Sequence, residues 1–87
     1  MIQIKKKDEQ EFMVTVAEGD TKTEHTVTLN DDYYGDLTDG SITKEELIKK
    51  SFQFLLERES KESILSRFNL RVIKSYFSEY EREIKTA

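Results

Sequence analysis

Residues 63–84, SILSRFNLRVIKSYFSEYEREI, set Ile73, Phe77, Tyr80 and Ile84 at i, i+4, i+7 and i+11, the stripe of an amphipathic helix. Such a stripe needs a surface to lie against, and the front of the chain supplies one. In residues 11–17, Phe12, Val14 and Val16 alternate with Met13, Thr15 and Ala17; in residues 23–29, His25, Val27 and Leu29 alternate with Thr26 and Thr28. With residues 2–7 these segments read as three half-buried strands, since a period of two rich in β-branched side chains suits a pleated surface with one covered face. The polar joints Lys7-Asp8-Glu9-Gln10 and Glu18-Gly19-Asp20 predict short hairpins. The expected architecture is therefore α+β and two-layered: a three-stranded antiparallel meander over residues 1–30, covered by three to four helices from residues 31–87, all in a single domain.

Helix signals mark out the second half. Asn30-Asp31-Asp32 is a natural start, because short oxygen-bearing side chains accept from the unpaired N–H groups of a first turn. The helix it opens, around Tyr33–Leu37, is kept short by Gly35, Asp39 and Gly40. Thr43-Lys44-Glu45-Glu46 has the spacing of a capping box, and the broad apolar face of Leu47, Ile48, Phe52, Phe54, Leu55 and Leu56 predicts a well-buried helix over about 44–58. Ser60 or Ser63 opens a short helix over 61–68, and Asn69 opens a longer one over 70–84. Ser78-Glu79-Tyr80-Glu81 offers a second capping signal inside that last helix.

Composition narrows the function classes. A chain of 87 residues with 36 % hydrophobic and 37 % charged side chains has enough apolar material for a modest core. It has no cysteine, so disulfides and thiolate chemistry are excluded. No apolar run approaches the roughly 20 residues that cross a bilayer, and MIQIKKKDEQ lacks the apolar stretch of a signal peptide, so the expected location is cytoplasmic. The net charge of −4 is graded, most acidic in the middle third and slightly basic at the end. That grading disfavours a nucleic-acid footprint, which needs a clustered basic face. Lys5-Lys6-Lys7 suits the edge of a sheet, where lysine deters unwanted pairing.

Few residues are patterned for chemistry. Asp39, Gly40, Ile42, Thr43 and Glu46 resemble positions 5, 6, 8, 9 and 12 of an EF-hand calcium loop, but the first and third positions fall on Gly35 and Leu37, which offer no side-chain oxygen. A Gly turn before a helix cap is the preferred account. The lone His25 lacks companions for a metal and reads as a packing residue. Asp31, Asp32, Asp36 and Asp39 lie in a turn-rich segment where capping explains them. No catalytic residue, metal ligand or cofactor is expected. Tyr76, Phe77 and Tyr80 cannot all face one way on a helix, which leaves a rim tyrosine; Tyr76, Tyr80 and Arg82 form the candidate surface for a protein partner.

Two wider likenesses add expectations. Phe54-Leu55-Leu56-Glu57-Arg58-Glu59, then Ser63-Ile64-Leu65, Phe68, Leu70, Ile73, Tyr76-Phe77 and Glu79-Tyr80-Glu81 resemble a family of small uncharacterised bacterial proteins. That resemblance spans nearly the whole chain, implies a compact α+β domain and implies no activity; such sequences often carry proline, which would sharpen a break after Phe77, where this chain has Ser78, so a break is left open here. The run from His25 to Tyr34, with Ser41–Ile48 and Arg58, resembles the strand, helix, turn, helix order of ribbon-helix-helix repressors and antitoxins. It implies an obligate dimer with Thr26 and Thr28 pointing into a DNA major groove. Lys22 is the sole basic residue of that ribbon, so a solvent-facing role for the two threonines is preferred. The leading expectation is a non-catalytic protein-interaction or accessory domain, monomeric or weakly dimeric, with another protein as its partner and neither DNA nor membrane. A ribbon-helix-helix-like DNA-binding regulator stands second.

Overall fold

A computed structural model describes residues 1–86. Strands β1 (Ile2–Lys6), β2 (Glu11–Glu18) and β3 (Thr21–Thr28) form the antiparallel meander that the alternation predicts. Val14 lies opposite Ile4 on one side and His25 on the other; Phe12 lies between Lys6 and Val27. Phe12, Val14, Val16 and Val27 are wholly buried on the covered face, while Met13, Thr15 and Ala17 line the opposite one. The first hairpin closes on Asp8, whose Oδ1 accepts from Gln10 N at 2.9 Å and Glu11 N at 2.8 Å. The second turns at Gly19, whose φ of 58° a side chain would disfavour.

Helix α1 (Asp31–Thr38) starts where expected, but the Asn30 side chain does not cap it. Asp32 Oδ1 accepts from Tyr33 N instead, and Asn30 links Gln10 to Asn69 through side-chain amide bonds of 3.1 and 2.9 Å. Asp39, left-handed at φ 54°, ends the helix. Helix α2 (Lys44–Leu56) carries the predicted capping box: Glu46 N donates to Thr43 Oγ1, and Thr43 N donates to Glu46 Oε1. Its Leu47, Ile48, Phe52 and Leu55 fill the middle of the core.

The segment 61–68 departs from the expected helix. A single 3-10 turn occupies Lys61–Ser63, and the chain then extends into β4 (Arg67–Asn69), which joins the sheet beside β3 and parallel to it. The sheet is therefore four-stranded and mixed, in the order β1-β2-β3-β4. Ile64 and Phe68, four residues apart, suit a helix face and one face of a strand equally well; the open edge of β3 selects the strand, because its N–H and C=O groups need partners. Thr26 N donates to Ser66 O at 2.8 Å.

Residues 70–84 are not one helix either. A 3-10 turn (Leu70–Val72), capped by Asn69 Oδ1 accepting from Arg71 N, leads into α3 (Ile73–Tyr76); Phe77 is extended, and α4 (Tyr80–Thr86) starts afresh. The break falls beside the Ser78-Glu79-Tyr80-Glu81 signal. Nevertheless Ile73, Tyr80 and Ile84 are buried and Phe77 packs against the core, so the stripe does its burying through two short helices. Breaking the helix lets Phe77 and Tyr80 both meet the Phe54 ring edge-on, at 5.8 and 5.2 Å between centroids. No helix among the described residues is long and apolar enough to cross a membrane.

Candidate functional site

Where β4, α3 and the end of α2 converge, the core opens into an apolar cavity of about 140 Å³. Leu55, Ile64, Phe68, Ile73 and Phe77 line it, and Leu65 and Tyr76 also border it. Those last two are large hydrophobic side chains left 47 % and 67 % exposed, against wholly buried neighbours such as Leu70. A cavity of about 150 Å³ holds one benzene ring, whereas cofactor and drug sites run from about 300 Å³ upward. The space therefore suits a single aromatic or branched aliphatic side chain.

The sheet fixes the Leu65 wall. His25 is buried on β3, and its Nδ1 contacts Leu65 O at 2.8 Å while Nε2 contacts Thr23 Oγ1 at 2.8 Å. A carbonyl can only accept, so Nδ1 carries a proton and donates to Leu65 O. The ring packs on Phe52 at 5.4 Å. With the carbonyls of Leu65 and Ser66 both bound to β3, the Leu65 side chain is turned outward. The adjoining turn is pinned by Lys61, whose ammonium pairs with Glu62 at 2.9 Å and Glu18 at 3.4 Å.

The α3–α4 wall is fixed by Arg58. Its guanidinium lies 3.6 Å from the centre of the Phe54 ring, donates to Phe54 O at 3.0 Å, and reaches Glu79 at 3.2 Å and Glu83 at 3.1 Å. Beside the break, the Glu79 carboxyl is held below its usual range by its own backbone N–H and then by Arg58. Deeper in, Tyr80 Oη and Ser51 Oγ share a hydrogen bond of 2.6 Å, and Ser51 also donates to Leu47 O. Burial pushes the Tyr80 hydroxyl above the ordinary phenol range.

The candidate surface Tyr76, Tyr80 and Arg82 is not brought together. Tyr76 borders the cavity, Tyr80 is wholly buried because the break turns it onto Ser51 and Phe54, and Arg82 lies on the exposed side of α4 away from the cavity. Leu65 and Glu59 are the members that sequence reasoning missed. Glu59 is the charged residue of the lining, and its carboxylate has no ion-pair partner among the described residues. For Leu65 a signal existed: it is out of phase with Ile64 and Phe68 on a strand.

Other polar clusters are spoken for. Glu46 serves the α2 cap and Asp39 the α1 end, which accounts for the calcium-loop resemblance through helix termini. Among the described residues no group of three or more His, Cys, Asp or Glu is placed to hold a metal ion. Tyr33 donates to Glu81 at 2.9 Å; burial, then that carboxylate, raise its pKa, so its hydroxyl keeps its proton. No protein-family model, curated protein or solved structure matches the chain.

Proposed function

We propose that this protein is a small non-catalytic interaction domain that docks another protein by receiving one apolar side chain between Leu65 and Tyr76. The carrying observation is that two exposed large hydrophobics frame the same ring-sized apolar cavity, with the core as its floor. The single charged lining residue and the small volume argue for an anchor residue rather than a substrate. The DNA-binding alternative gains no support from β3, which lies between β2 and β4 and has no edge for a ribbon with a second chain.

A photo-crosslinking amino acid at position 76, with position 20 as control, tests the reading. The expected outcome is one reproducible protein adduct at 76, a complex of the two purified proteins, and loss of that complex by at least tenfold in Leu65→Asp. A purified pair that binds equally well after the substitution overturns the proposal, as does crosslinking at 76 no greater than at 20. Salt-sensitive binding of duplex DNA by a strict dimer reverses the order of the two readings.

A further inference from the structure

Resting on that docking reading, we infer that the partner binds as an extended segment added beside β4, with an apolar residue in the cavity and a lysine or arginine against Glu59. Three observations converge. First, β4 is the last strand of the sheet, and its hydrogen bonding is used on one side only. Ser66 O is taken by Thr26 N; the two-residue repeat of a strand then sends the Arg67 main-chain groups and the Asn69 N–H out of the other edge, the Asn69 carbonyl serving the 3-10 turn that follows. Second, Phe68 lines the cavity from the inner face of β4. The inward residue of a further strand would lie beside Phe68, over the cavity, so one extended segment satisfies the edge and fills the space together. Third, Glu59 is the one charged residue in a mostly apolar lining and has no ion-pair partner among the described residues, in a chain of net charge −4. A basic residue on the incoming segment supplies the missing charge.

The same charge argues against a second copy of this chain as occupant, since two acidic molecules would meet there with Glu59 unpaired on both. The opposite edge of the sheet is a poor alternative. β1 presents Lys5 and Lys6 as exposed side chains, which deter pairing. Only three residues form β4, so the main chain contributes few bonds, and the expected affinity is weak, roughly 10 μM to 1 mM.

The probe is an acetylated, amidated octapeptide of threonines with a central leucine and a lysine two residues to each side, titrated into 15N-labelled full-length protein. The expected result is shifted signals at Leu65 and Tyr76, with slowed amide exchange at Arg67 and Asn69. N-methylation of the amides on one edge of the peptide weakens binding about tenfold, and methylation on the other edge does not. Replacing the lysines by aspartate weakens binding about threefold to tenfold, and Glu59→Gln removes that preference while the leucine still binds. Shifts at Leu65 and Tyr76 without protection of Arg67 and Asn69, and indifference to N-methylation, overturn strand addition and leave the docking reading standing. No shift at the cavity at millimolar peptide overturns strand addition, while the crosslinking experiment judges docking separately. Protection of Arg67 and Asn69 that rises with protein concentration alone makes a second copy the occupant and also overturns the proposal.

Discussion

The two edges of the sheet are built differently. At β1, half-buried Ile2 and Ile4 alternate with exposed Gln3 and Lys5, and Lys6 and Lys7 follow, ion-paired to Glu9 and Glu11. At β4, a three-residue strand is tied to β3 by His25 and Thr26 and bordered by uncovered Leu65 and Tyr76. Charge guards the first edge, whereas the second is held firmly from behind and is apolar in front. An edge fixed on one side and open on the other is what a docking surface requires, because a preformed site loses little order on binding.

Substitutions can break that contrast. Phe68→Ala removes a buried ring that anchors β4 and should cost about 3–5 kcal/mol, against about 1–2 kcal/mol for Ile4→Ala on the half-buried β1 edge. Urea denaturation compares them, and equal costs would erase the distinction. His25→Ala should cost about 2–3 kcal/mol through the lost ring and the freed Leu65 carbonyl. Native-state hydrogen exchange should then show the Thr26 amide opening more readily, with β1 unchanged.

Alkali probes the same side more gently. Folding raises the Tyr80 pKa above the ordinary 10.0, chiefly by burial, so the unfolded chain gives up that proton first as pH rises. The stabilisation is complete below pH 10 and is lost above it, by up to about 1.4 kcal/mol per pH unit. Tyr80→Phe should flatten part of that decline in denaturation curves between pH 9 and 11. The smallest effect belongs to the open front: Leu65→Asp and Tyr76→Ser should shift stability by no more than about 0.5 kcal/mol, measured the same way. A larger loss would mean that these side chains belong to the core rather than to a surface.

Local signals carried the meander and the helix starts at Thr43 and Asn69. The alternation of Phe12, Val14 and Val16, the Thr43–Glu46 box and the Asn69 cap each depend on residues within four positions of one another, and each is present. The misread parts depend on distant partners. Residues 67–69 become a strand because the β3 edge some forty positions earlier needs pairing, and nothing within RFN itself announces it. Asn30 leaves its helix start to bridge Gln10 and Asn69, a choice visible only once those strands are neighbours. Tyr76 and Tyr80, four positions apart, share a face of a continuous helix; the extended Phe77 instead turns Tyr80 inward and leaves Tyr76 outside. The cavity was legible only in its Tyr76 wall, since an opening is a property of the gaps between elements.

The parallel pairing of β4 with β3 also has a consequence for how the chain is made. The meander is complete by Thr28, yet its last strand waits for a neighbour that lies 41 positions further on, at Thr26 opposite Arg67. At ribosomal speeds of about 5–20 residues per second, that wait lasts roughly 2–8 s. Throughout it the nascent protein carries a raw, β-branched border with nothing to zip against, and the final loop closure is both the slowest contact to reach and the one that ends its stickiness.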